Sequence, residues 1–237
     1  MAGLTTIALL ERRRAISRDL FTRYWRDVHG VMAARIPGFT SYVQHHVMRE
    51  AGDERAPSIE GIAVVGFASE QDREGLARSA ISPEIVRDEP NLFERALLFN
   101  LGPLDVSRFG EVSADADAPC RFALFEDQTR AKGFAAALAG ASTLYDLAGG
   151  DPSAWNGAAS AAASWRFLVH FEASDDAPPL GASEGIAIYR TDHRFVLVEG
   201  GRPTALGLRG ADALRTIEEA GAANQLEEHV EALIYGR

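Results

Sequence analysis

Two hydrophobic periods alternate along the first half of the chain. Leu4–Leu10 is a short apolar run rich in Ile, Leu and Thr, which predicts a strand that ends in solvent at Arg12–Arg14. Leu20, Phe21, Tyr24, Trp25, Val28, His29, Met32 and Ile36 then recur at helical spacing and predict one buried helical face. Ser17 suits the N-cap of that helix, and Pro37-Gly38 stops it. Phe39–Met48 reads as a strand, residues 50–58 as a polar loop, and Gly61–Ala68 as a strand that is apolar over Ile62–Phe67. Ser69 caps a polar helix over Glu70–Ser79, and a second short helix follows Ser82-Pro83. Glu94–Asn100 closes as a strand. The order βαββαβ is the ferredoxin-like arrangement.

The second half starts afresh after a polar, acidic stretch at 108–118, which predicts a boundary between a domain at 1–107 and another at 119–237. Arg121–Glu126 reads as a strand and Gln128–Gly140 as a helix. Gly149-Gly150-Asp151-Pro152 reads as a loop and Trp165–Ala173 as a strand. Gly185–Thr191 and Arg194–Glu199 read as two strands around a turn at Asp192-His193. Ala211–Ala220 reads as a helix and His229–Tyr235 as a closing strand. Phe122–Glu126 before a helix echoes Ile7–Glu11 before a helix, and 225–235 loosely echoes 91–99. These echoes predict a repeat of domain size. The expected fold class is therefore α+β, with two tandem ferredoxin-like domains, the second degenerate. One such sheet leaves a face bare of helices, so a second copy must cover it, within the chain or in a homodimer.

At 237 residues, with 46 % hydrophobic and 24 % charged side chains, the chain can bury a core without cross-links. The net charge of −10, with an acidic excess in both halves and no basic stripe, argues against nucleic acid and anionic membrane as partners. No apolar run is long enough for a membrane span. Glu11-Arg12-Arg13-Arg14 comes too soon for a secretory signal, so the expected compartment is the cytoplasm. Cys120 is the sole cysteine, which removes any internal disulfide and leaves an inert thiol as its ordinary role.

The chemistry concentrates on the first long helix and the strand after it. His29 lies one turn after Trp25 and two after Phe21, on the apolar face, where an imidazole needs partners and can serve as a general acid or base. A structural histidine bonded to a strand carbonyl is the competing role. Tyr24 stands at the edge of that face, where its hydroxyl can donate to a developing oxyanion or simply reach water. His45 and His46 are adjacent on a strand and point to opposite faces, so one of them at most shares a cavity with His29, and sequence leaves open which. No HExxH motif or histidine helix pair is present, and Asp27 and Glu11 are poorly placed to complete a site, so no metal is expected. His170, alone in the strand Phe167–Phe171, reads as a packing or interface residue, while His193 and His229 read as solvated. The Gly149-Gly150, Gly200-Gly201 and Gly207 positions lack phosphate-loop spacing. Ser17, Ser41 and Ser107 lack the G-x-S-x-G elbow.

Phe21, Tyr24-Trp25, His29, Ile36-Pro37-Gly38, Tyr42 and the pair His45-His46 together resemble the EthD family of dimeric α/β barrel proteins, over roughly residues 5–105. The resemblance implies a ferredoxin-like domain in a superfamily of decarboxylases, dehydratases, isomerases, cyclases, cofactor-free monooxygenases and haem enzymes. It does not select among them, because this fold hosts many chemistries. The resulting expectation is a small cofactor-independent lyase or isomerase acting on a hydrophobic aromatic or polyketide-like compound. In it His29 moves the proton, Tyr24 and one of His45 and His46 orient or stabilise the oxygen, and Phe21, Trp25, Tyr42 and Phe67 line an apolar pocket. Two alternatives stand beside it: an oxidoreductase of the same superfamily, cofactor-free or with haem, for which the resemblance makes His170 the candidate ligand, and a non-enzymatic small-molecule binder.

Overall fold

A computed structural model describes residues 4–110, 119–138, 140–152, 164–172, 184–207 and 212–235. In chain order the elements begin with β1 (Leu4–Arg12), α1 (Arg18–Tyr24), a π-helical turn (Trp25–His29) and α2 (Gly30–Ala33). Then come β2 (Phe39–Gly52), β3 (Gly61–Phe67), α3 (Glu70–Gly75), α4 (Ser82–Leu92), β4 (Phe93–Leu101) and β5 (Val106–Phe109). The second half holds β6 (Cys120–Phe125), α5 (Gln128–Ala137), β7 (Ser142–Asp146), β8 (Asp151–Pro152), β9 (Phe167–Glu172) and β10 (Ile186–Glu199). It ends with β11 (Arg202–Pro203), α6 (Ala213–Ala220) and α7 (Glu228–Tyr235). This is an α+β fold built on antiparallel strand pairs. The predicted boundary at 108–118 lies, from residue 111 onward, outside the described residues.

The chain forms two compact units, each drawing on both sequence halves. One comprises 1–45, 61–96 and 194–237, and the other 46–60 and 97–193. In the first, the strand order is β10–β2–β3–β1–β4. β1 and β3 pair in register from Leu4–Phe67 to Leu10–Gly61, and the core residues Ile7, Leu9, Ile62 and Phe67 come from these two strands. Ser17 accepts from the N–H of Leu20 at 3.1 Å and Ser69 from that of Asp72 at 3.1 Å, so both predicted caps start their helices. In the second unit the order is β5–β7–β9–β6–β10, with α5 packed on the Phe125, Val169 and Phe171 core.

Three expectations of element type need correction. Asp151-Pro152, read with Gly149-Gly150 as a loop, forms β8 and pairs with Asn100 and Phe99 of β4. Asp192-His193 makes no turn, because β10 runs unbroken from Ile186 to Glu199. A two-residue hairpin turn needs positive φ, and neither residue has it. Gly200 (φ 55°) and Gly201 (φ 77°) do, and they make the hairpin that pairs Val198 with Pro203. The segment expected as a closing strand at His229–Tyr235 is the helix α7. Its buried residues Val230 and Ile234 stand four apart, which is one helical turn.

Candidate functional site

His29 closes the π-helical turn. In that turn the N–H of Gly30 reaches the carbonyl of Trp25, five residues back, and so takes in one residue more than an α-helical turn. At 3.6 residues per turn, Tyr24 and His29 would stand roughly 140° apart around the axis. The wider turn brings them to one side, where both reach the same carboxylate. The Tyr24 hydroxyl donates to Asp88 Oδ1 at 2.5 Å, and His29 Nδ1 lies 3.0 Å from Asp88 Oδ2. Asp88 comes from α4 and is fully enclosed. Asn91, one turn further along α4, donates to Asp88 Oδ1 at 2.9 Å.

The π-turn is held open from the sheet side. Gln44 Nε2 donates to the Trp25 carbonyl at 2.9 Å and to the Tyr42 hydroxyl at 2.9 Å. Gly30 lets the sheet come this close, since a Cβ there would stand 2.5 Å from Gln44 Nε2 and 2.7 Å from both Leu197 Cδ1 and the Trp25 carbonyl.

With Asp88 approached from three sides, Nδ1 is the His29 nitrogen that faces Oδ2, and Nε2 is left facing away from the carboxylate. Among the described residues Nε2 has no hydrogen-bond partner, and it is not one of the fully enclosed unpartnered atoms. The residue keeps 6 % exposure. Phe93 packs edge-on to His29 at 5.2 Å between centroids, and Phe21 and Trp25 pack on Phe93 at 6.2 and 6.4 Å. The arrangement is a histidine oriented by a buried carboxylate and walled by aromatic rings.

The other predicted site residues fall as follows. Phe39 stands edge-on to both Tyr42 and Phe67, at 5.9 and 5.0 Å, forming a second aromatic group. Burial pushes the Tyr42 phenol up to about 12, against hydrogen bonds from Gln44 and the Trp25 indole. Phe21, Trp25, Tyr42 and Phe67 are all buried core residues. On β2 the alternation puts Tyr42, Gln44 and His46 on one face and Val43 and His45 on the other, and Gln44 marks the first as the face toward the helix. Both strand histidines are buried, and neither is hydrogen-bonded to His29 or Asp88. His170 stacks on Phe122 at 4.5 Å, and Cys120 donates to Thr191 at 3.3 Å. His229 lies between Glu84 and Glu227, at 3.1 and 3.5 Å.

Sequence reasoning missed Asp88, although a signal for it existed. Ile81, Ile85, Asp88 and Leu92 recur at spacings of four and three, all buried, so an acid stands on the apolar stripe of a helix. A charge placed there is enclosed and must be paired.

Residues 13–96 match the EthD domain family model. No curated protein matches the chain. Among solved structures, an anthrone oxidase-like protein is similar with a TM-score of 0.52 at 12 % identity, covering 86 % of this chain and 97 % of that one. A candidate monooxygenase from Lactobacillus acidophilus NCFM has a TM-score of 0.45 at 13 % identity, covering 86 % of this chain and 100 % of that one. An EthD family protein from Bacillus halodurans C-125 has a TM-score of 0.34 at 15 % identity, covering 42 % of this chain and 97 % of that one. No helix among the described residues is long and apolar enough to cross a membrane. Tyr24, His29, Asp88 and Asn91 all lie inside residues 13–96, the segment that matches the EthD domain family model.

Proposed function

We propose that the chain is a small cofactor-independent enzyme in which His29 Nε2 takes a proton from an activated C–H or O–H of a hydrophobic aromatic or polyketide-like compound. The observation that carries this is the His29–Asp88 pair at 3.0 Å with Nε2 unengaged. Asp88 holds the ring in one tautomer and stabilises the imidazolium that forms, a contribution typically of about 10²–10⁴-fold for a positioned base. Tyr24, whose hydroxyl is committed to Asp88, acts in this reading by orienting that carboxylate. His46, on the helix-facing side of β2, is the strand histidine kept as a candidate second group, and His45 serves structure. The resulting carbanion or enolate then loses a leaving group or is reprotonated elsewhere, which gives the lyase or isomerase outcome.

An oxidase outcome is the second reading, favoured by the likeness to an anthrone oxidase-like protein. It shares the first step, since the same deprotonated compound can pass electrons to dioxygen. The tandem ferredoxin-like reading, with domains 1–107 and 119–237 and an internal or homodimeric pairing, belongs to this proposal. It is supported by the repeated strand–helix pairs β1–α1 and β6–α5.

The test measures deuterium uptake from D₂O by NMR, together with oxygen consumption, on anthrone and a panel of aromatic β-dicarbonyl compounds. Wild-type protein is expected to accelerate exchange of at least one compound, and His29→Gln to abolish that acceleration. Full turnover by His29→Gln overturns the reading. Oxygen consumption coupled to exchange selects the oxidase outcome.

A further inference from the structure

The polar cluster does not end inside the EthD segment. Asn91 Nδ2 carries two hydrogens and has three oxygens near it: Asp88 Oδ1 at 2.9 Å, Asn224 Oδ1 at 3.1 Å and the Tyr24 hydroxyl at 3.4 Å. The two shortest take the hydrogens. Turning the Asn91 amide over would set its carbonyl against the Asp88 carboxylate, so the orientation is fixed from both ends.

Asn224 belongs to the turn Ala223–Leu226 between α6 and α7. That segment is tied to the EthD helices at several points. Arg23 donates to Thr216 at 3.1 Å and pairs with Glu219 at 2.6 Å, Arg35 donates to the Ile234 carbonyl at 2.9 Å, and Arg87 pairs with Glu227. The turn is therefore held in place against α4.

Asn224 Nδ2 is fully enclosed and has no partner among the described residues. An enclosed amide donor without an acceptor is unfavourable. A residue that only filled this space would do better as Leu, and Asp would set a second carboxylate near Asp88. What Asn supplies that neither does is a neutral acceptor for Asn91 beside a buried charge.

We propose that Asn224 is a positioning residue that acts through Asn91 on Asp88, and so on His29, and that the C-terminal segment thereby completes a proton-transfer site begun by the EthD domain. The catalytic meaning of this inference rests on the reading of His29 as the base, but its test does not. Asn91 donation draws charge on Asp88 away from His29. Asp88 is the charged group facing the imidazole, and the Tyr24 phenol bonds to the same carboxylate. Releasing Asn91 returns that charge to the ring and favours the imidazolium.

The experiment follows the His29 ring protons by NMR against pH in the full chain, with His29→Gln used to assign them. Asn224→Leu is expected to raise the His29 midpoint by up to about one pH unit, the worth of one neutral hydrogen bond. Asn91→Leu is expected to raise it at least as far, and the double variant no further than Asn91→Leu alone. A folded Asn224→Leu with an unmoved midpoint overturns the proposal, even if its Tm falls. Should that variant not fold, the unmodified protein decides. The side-chain amide signals of Asn91 and Asn224 are both expected to shift through the His29 midpoint, and a flat Asn224 signal overturns the proposal. Loss of activity in His29→Gln is read separately, so the two proposals can fail independently.

Discussion

Asp88 and His29 meet at 3.0 Å although 59 residues separate them, and Asp88 is fully enclosed while the histidine keeps one ring edge open. A buried carboxylate is costly unless its oxygens are satisfied, and here Tyr24, Asn91 and His29 satisfy them from two helices and a π-turn. The pairing fixes which imidazole nitrogen faces the carboxylate, the feature on which the proposed role of His29 as a base rests.

Asp88→Asn keeps the shape of the site but can present an N–H to His29 Nδ1, which reverses the tautomer. The expected outcome is a fall in kcat of about 10²-fold or more with a smaller change in KM, measured on whichever compound the exchange assay identifies.

Gly30→Ala is expected to destabilise the protein by about 1–3 kcal/mol through overpacking. Alanine's better helix propensity offsets at most about 1 kcal/mol of that. The added methyl would lie 2.7 Å from the Trp25 carbonyl, which cannot move without disturbing the π-turn. A lower urea midpoint at unchanged m-value checks this.

Tyr42 and Tyr145 are both pushed up to about 12, chiefly by burial. An unfolded phenol ionises near 10, so between pH 10 and 12 the unfolded chain sheds protons that the folded chain retains. The stabilisation is complete below about pH 10 and is lost as pH rises toward 12. Tm is expected to fall across that interval, and less steeply in Tyr42→Phe.

Asp53 behaves in the opposite sense. The Arg55 guanidinium at 2.6 Å, with the N–H groups of Gly185 and Arg55 at 2.9 Å, holds its carboxyl far below the usual carboxylate range. The stability it contributes is present above about pH 4 and is lost as the solution is acidified further. Asp53→Asn should therefore lose less Tm than wild type between pH 6 and pH 3.

Much of the first half was legible because its hydrophobic periods are strong and its caps chemically explicit. Ser17 and Ser69 cap where expected, and Phe21, Tyr24, Trp25, Val28 and His29 are buried as their spacing implies. The π-turn was not legible, since an inserted residue leaves no mark on a pattern read at three and four. Its trace is Gly30, which matters only once Gln44 is known to approach it. Asp88 was legible in principle but is a polar letter in a stripe, and its partners lie 59 and 64 positions away. β10 was split in two because Asp192 and His193 are polar. Their exposure shows why polarity alone is weak evidence for a turn, as an exposed stretch of strand tolerates it.

Among the described residues, Arg35 grips the C-terminal segment by main-chain oxygens, those of Ile234 and Gly207, and by no side-chain hydrogen bond. A grip on backbone is indifferent to the letters it holds. Substitutions along the terminal helix can accumulate without loosening it, whereas a single change at Arg35 releases both oxygens at once, and burial leaves them no ready replacement from water. The tolerance of this fastening to mutation is thus lopsided: broad on the side that is held, narrow on the side that holds.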